Sequence, residues 1–171
     1  MFPPLRATWA PEGVQAEVAV SGSNQRRVLL AAINIQTGHR IVMRSNRNRQ
    51  TEFQQLLREL RRRYRDRRIV LLVDHASSHQ AKASKALAKQ LNIGLLWLPL
   101  RTPALNSVDH LWREAKGKIA ANRQYATIDE AAEHIEEWLH SLTAKQALTK
   151  AGLLSKNAWL RRFSQNLYGP T

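Results

Sequence analysis

The feature that most constrains this chain is a pair of short, continuous apolar runs on either side of a helical pattern. Ile69 to Val73 is apolar throughout and ends at Asp74, and Ile93 to Leu98 is stopped by Pro99. Runs of this length without polar alternation suit strands buried on both faces. Between them, about Ala81 to Leu91 reads as a helix. Strand, helix and strand joined at this spacing form a parallel crossover unit, which returns the chain to the same edge of a sheet. Residues that follow such strands collect at the carboxyl edge, where open α/β sheets bind ligands.

The flanking segments complete an α/β architecture. Val14 to Val20 and Val28 to Ile35 are β-rich, and Gln36-Thr37-Gly38-His39 is a turn signal leading into Arg40 to Arg44, so antiparallel strands open the fold. Phe53, Leu56, Leu57, Leu60 and Tyr64 then recur at helical spacing after Thr51 as cap, predicting an amphipathic helix of about four turns. Past a loop from Leu100 to Leu105, Asn106 caps a helix carrying Val108, Leu111, Trp112, Ala115 and Ile119. Thr127-Ile128-Asp129-Glu130 has the capping-box pattern and opens a helix to about Leu142. A short helix with Trp159 and Phe163 is expected between Leu153 and Leu167. Trp97, Trp112, Trp138 and Trp159 fall in apolar periodic segments, so they read as core. The 171 residues contain no repeat and no Pro/Ser linker, and are expected to form a single domain, 1–171.

Charge narrows the partners. Lys and Arg total 27 against 13 Asp and Glu, a formal charge of +14, and a surplus that large on one domain points to a polyanion. Nucleic acid comes first, ahead of a merely solubilising surface or an anionic membrane surface. With no cysteine, a disulfide framework and a cysteine-ligated zinc site are both excluded. No apolar run approaches the ~20 residues that span a bilayer, and MFPPLRATWAPEG lacks a signal-peptide pattern. A soluble, cytoplasmic protein is expected.

Two carboxylates carry the candidate chemistry. Asp74 sits where VLLVD meets a loop, which suits either an exposed ligand or an Asx-turn. Asp109 lies in the first turn of the helix after Asn106, where the helix dipole favours a negative charge. The 34 residues between them hold one helix and one parallel strand, so the crossover brings both to one edge. Paired carboxylates there suit Mg²⁺, a hard cation that takes oxygen ligands.

The segments LLVDHASSH, LLWLPLRTPALNSVDHLW and ANRQYATIDEA resemble the catalytic core of DDE transposases of the mariner superfamily, in its bacterial insertion-sequence branch. FPPLRATWAPEG and AGLLSKNAWLRRF extend the likeness over almost the whole chain. The resemblance implies a ribonuclease H-like mixed sheet flanked by helices, with Asp74 as second acid and Asp109 as third. It also implies two Mg²⁺ or Mn²⁺ ions, about 4 Å apart, that activate a water or a 3′-hydroxyl in DNA cleavage and strand transfer. DNA, as element ends and target, is the implied partner, with a homodimer in the transposition complex and a bacterial, nucleoid-associated location. Two departures stand out. No acid precedes Glu12, so the first acid and most of the first strand are missing, and Ser107 replaces a customary proline. A fragment that does not cut DNA is therefore expected, from a truncated, frameshifted or decayed reading frame. The rival is a non-catalytic DNA-binding or interaction module.

Candidate DNA contacts follow from placement. Arg113 and Lys116 lie at i+4 and i+7 from Asp109, beside the acids. Arg101 lies in the loop before that helix. Arg58, Arg61, Arg62 and Arg65 share one helix face, which suits DNA contact or a solvated surface equally. His79 shapes the loop after Asp74 or touches DNA, and His110 merely follows an acid.

Overall fold

The computed structural model describes residues 7, 9–13, 17, 25–156 and 158–160. Apart from Glu17, the expected strand at 14–20 lies outside them, as does most of the expected tail helix, with Phe163. β1 (Val28–Ile33) and β2 (Arg40–Ser45) form an antiparallel hairpin in which Leu30 faces Met43 and Ala32 faces Ile41. The turn follows the sequence signal. The Asn34 side-chain oxygen accepts from the backbone N–H groups of Gln36 and Thr37, and Gly38 takes the left-handed conformation with φ +70°.

Helix α1 (Gln50–Arg63) buries Phe53, Leu56, Leu57 and Leu60, the stripe read from spacing. Its cap is corrected from Thr51 to Arg49. The Glu52 carboxylate accepts from the Arg49 N–H and from the Thr51 hydroxyl, so Thr51 sits inside the first turn. β3 (Ile69–Val73) and β4 (Ile93–Trp97) pair in parallel, joined by the single turn α2 (Ser77–Gln80) and by α3 (Lys82–Gln90). The Ser84 hydroxyl, fully buried, ties α3 back to the Ser78 carbonyl of α2.

α4 (Ser107–Ala115) runs into a π-helical turn, Lys116–Ala120, and then come α5 (Ile128–Ser141) and α6 (Ala144–Lys150). Asn106 caps α4 by accepting from the Val108 N–H. Thr127 caps α5 through the Glu130 N–H, while Glu130 reaches back one residue further than the standard box, to the Ala126 N–H. α6 has no counterpart among the expected elements, although Thr143 and Gln146 make a reciprocal capping box at its start. Only Trp159 and Leu160 of the expected tail helix are seen in helical form.

Strand alternation distributes side chains between two cores. Leu30, Ala32, Ile41, Met43, Ile69, Leu71, Val73 and Ile93 face α1 and α3. Leu29, Ile33, Val42 and Leu72 face α4, α5 and α6, where Leu111, Ala115, Leu139 and Ala147 are buried, with Trp112, Trp138 and Trp159 against them. The sheet layer thus lies between two helical layers. β3 departs from the expected two-sided burial at Val70, which is 37% exposed, because the second helical layer reaches that strand at Leu72. Among the described residues, the hairpin and the parallel pair are two separate two-stranded sheets.

Candidate active site

Parallel pairing of β3 with β4 places their carboxyl ends side by side, and the chain leaving each end lines one cleft. Asp74, His75, Leu98, Pro99, Arg101, Thr102, Asn106 and Asp109 surround about 140 Å³ there. The crossover therefore brings Asp74 and Asp109 together, as their spacing implied. Asp109 is delivered by the first turn of α4, with its N–H bonded to the Asn106 carbonyl. Burial pushes the Asp109 carboxyl above its ordinary value, and the negative charge of Asp74 pushes in the same direction. His110, Lys116 and Arg113 pull it down, and together lose to those two effects.

Asp74 is positioned by its own loop and by a histidine. One carboxylate oxygen, Oδ1, accepts from the Ala76 N–H at 3.0 Å, so the Asx-turn is real and coexists with exposure of the side chain. His79 Nδ1 lies 2.8 Å from the same oxygen and 3.3 Å from the Asp74 carbonyl. Both partners only accept, so Nδ1 carries the proton. The ring packs on Phe53, with centroids 4.2 Å apart, which fixes its angle from α1. His79 is thus a partner of Asp74 from the protein side.

The loop that carries the cleft is fastened at both ends by histidines. His75 Nε2 donates to the Leu98 carbonyl at 2.8 Å, with its ring against Trp97, and His110 Nε2 donates to the Ala104 carbonyl at 3.0 Å. The Thr102 hydroxyl donates to the Pro99 carbonyl within the same loop. Arg101, in the left-handed region at φ +59°, lies between these anchors and lines the cleft. His75, which the sequence marks by its place directly after Asp74 and which invites a ligand or general-base reading, lines the cleft, and Thr102 joins it without any sign in the sequence, since a loop threonine carries no spacing signature. His110, read as incidental, has a structural bond.

Of the other basic candidates, Arg113 and Lys116 are exposed on the same helical run as Asp109 and near enough to influence its charge. Arg61, Arg62 and Arg65 are elsewhere. The Arg61 guanidinium is spent on five carbonyls, those of Tyr64, Arg65, Arg67, Leu91 and Asn92, which lie before the amino ends of β3 and β4. The sequence reading took Arg61 as a candidate DNA contact; in the structure its guanidinium staples these carbonyls together. Arg62 pairs with Glu59 at 2.7 Å, and Arg65 is exposed at the same remote end.

A family model described as DDE superfamily endonuclease matches residues 3–132. The chain belongs to the DDE superfamily of endonucleases. Among curated proteins, this DDE endonuclease chain is similar to the uncharacterized 39 kDa protein of insertion element IS630 from Shigella sonnei, 24% identical over 143 residues, covering 82% of this chain and 42% of that protein. Among solved structures it resembles the Mos1 mariner paired end complex with Mn, with TM-score 0.69, 17% identity, and coverage of 99% of this chain and 53% of that one. It also resembles the catalytic domain of Mos1 mariner transposase, with TM-score 0.62, 17% identity, and coverage of 81% and 73%. The chain spans about half the length of the longer relatives. The fold is the ribonuclease H-like α/β one that the sequence resemblance implied.

Oxygen donors at the cleft fit a divalent cation in kind. Two carboxylates, one of them kept from ionising easily by burial and by its neighbour, make an environment that a hard cation relieves. Among the described residues no three His, Cys, Asp or Glu side chains cluster as a ligand set. Glu12 is exposed in a turn and does not line the cleft. No helix among the described residues is long and apolar enough to cross a membrane.

Proposed function

We propose that the chain is catalytic-domain sequence of a DNA transposase, working on DNA in the bacterial cytoplasm by divalent-metal-dependent strand cleavage and strand transfer. The observation that carries this is the convergence of Asp74 and Asp109 on one cleft at the carboxyl ends of β3 and β4. Asp74 and Asp109 would hold Mg²⁺ or Mn²⁺ through carboxylate oxygens. A bound ion of this class lowers the pKa of a water or hydroxyl nucleophile and stabilises charge on phosphate oxygens.

The protein's own groups position and select. His79 orients Asp74 by holding Oδ1 and the adjacent carbonyl, which leaves Oδ2 as the oxygen for the cleft. Asn106 sets the start of α4, and with it the direction of Asp109. Arg101, Arg113 and Lys116 place positive charge around the acids, where phosphates of a bound strand are attracted and repulsion between Asp74 and Asp109 is relieved. Family membership and likeness to a Mos1 paired end complex support DNA as the partner. Assembly as a homodimer belongs to the same proposal.

The carboxylate count supports a second element of the proposal. Two acids suit one ion, and one ion does not stabilise both the attacking and the leaving oxygen of an in-line displacement. The 171-residue chain alone is therefore expected to bind DNA and not to cut it. The test compares nicking of labelled duplex DNA, in Mg²⁺ and in Mn²⁺, by this chain and by a version extended upstream with an Asp-bearing strand, each with and without Asp74→Ala. Cleavage by the extended form that disappears with Asp74→Ala is the expected result. If the extended form stays inactive, or keeps its activity with Asp74→Ala, the assignment is wrong; cleavage by the short form makes Glu12 the first residue to examine.

A further inference from the structure

The sheet has a second charged end. β3 and β4 are parallel, so the segments leading into them lie together, opposite the cleft and separated from it by about 16 Å of five-residue strand at ~3.3 Å per residue. The last turn of α1 and the loop to β3, Arg58 to Arg68, hold seven arginines against Glu59 and Asp66. Arg61 is consumed in stapling the loop carbonyls to those at the end of α3. That staple fixes the backbone on which Arg65, Arg67 and Arg68 are displayed. These three and Arg58 are exposed and make no side-chain hydrogen bond or ion pair with other described residues.

We propose that this end of the molecule is a second duplex-binding surface, which grips the phosphate backbone of a DNA segment other than the one in the cleft. Guanidinium groups bind phosphate oxygens in forked pairs and stay charged at any ordinary pH, and a held loop loses less freedom on binding than a mobile one. An acidic protein partner fits less well, because protein interfaces bury an apolar centre. Of the exposed large apolar residues among those described, Trp9, Val70, Leu100 and Leu154, Val70 alone lies close in sequence to this patch. Separation matters as much as charge. A duplex seated along the cleft edge has the length of β3 and β4 between it and the arginine patch, so two occupied surfaces hold two DNA segments. The proposal stands whether or not Asp74 and Asp109 hold a metal.

The experiment is a bridging assay in EDTA. One duplex is fixed to beads, and capture of a second, fluorescent duplex by the chain is measured alongside affinity for a single duplex over a range of salt. The variants are Arg58→Gln/Arg65→Gln/Arg67→Gln/Arg68→Gln at the patch, with Arg61 kept, and Arg101→Gln/Arg113→Gln/Lys116→Gln at the cleft. Each variant is expected to lose bridging while retaining weak single-duplex binding. The patch variant should lower the slope of log K against log salt by about 0.9 for each phosphate that it no longer neutralises. If the quadruple change unfolds the chain, Arg65→Gln/Arg68→Gln carries the same test with half the charge removed. Unchanged bridging and slope in a folded patch variant overturn the proposal, as does selective loss of double-stranded RNA or acidic-protein binding with DNA binding intact.

Discussion

At Asp109 two effects act in one direction, since burial and the charge of Asp74 both favour the protonated carboxyl. A folded-state value raised above the ordinary 3.8 means that the folded chain takes up the proton more readily than the unfolded chain. The charged carboxyl therefore costs stability in full above the folded value, and that cost fades as pH falls toward and below 3.8. Asp109→Asn is expected to raise Tm at pH 7 in EDTA. Partial exposure screens the effect, so the rise is expected to be small. Melting curves of the two proteins should converge toward acid pH; a lower Tm for the variant at pH 7 would show that the carboxylate is a structural cap. Arg61 gives the opposite case. Removing five charge-assisted bonds by Arg61→Ala should cost about 2 kcal/mol and lower Tm by roughly 4–8 °C, whereas Arg62→Ala, at an exposed pair, should shift it by less than about 2 °C. Equal shifts in a thermal melt would mean that the staple is not held in solution.

Among the elements, the hairpin turn is the tightest junction. A Cβ added at Gly38 would lie 2.5 Å from the Ala144 carbonyl oxygen at the start of α6, and φ +70° already disfavours any side chain. Gly38→Ala should cost about 2 kcal/mol or more, read as a fall in denaturation midpoint without a change in slope. The turn itself was legible because Gln-Thr-Gly-His follows a β-rich run; its contact with α6 was not, being a meeting of residues 106 positions apart. Periodicity located α1 and continuous apolar runs located β3 and β4, because burial is what such patterns record, while β-rich composition and the turn signal located β1 and β2. Periodicity failed at α6, whose seven residues hold too few apolar positions to show a period, and at the one-turn helix after Asp74. It also could not show that Arg61 faces carbonyls while Arg58 and Arg65, on the same stripe, face solvent. At the cleft, spacing and the crossover were enough for Asp74 and Asp109, whereas the roles of His75, His79 and His110 depend on ring geometry that no spacing encodes.

The whole molecule combines a strongly basic chain with an acidic cleft. A +14 surplus attracts nucleic acid, and the two acids lie in a cleft lined by Arg101, with Arg113 and Lys116 near enough to act on Asp109. On the proposed reading a cation between carboxylates and phosphate reconciles the two, so the central claim is that Asp74 and Asp109 together bind one. The most direct measurement is an Mn²⁺ titration of the 171-residue chain followed by the electron paramagnetic resonance signal of the unbound ion, with Asp74→Asn and Asp109→Asn in parallel and circular dichroism confirming that each variant is folded. The predicted result is about one bound ion per chain, displaced by excess Mg²⁺ and weakened at least tenfold in either variant. Mn²⁺ uptake that is absent from the wild-type chain, or undiminished in both variants, would contradict it.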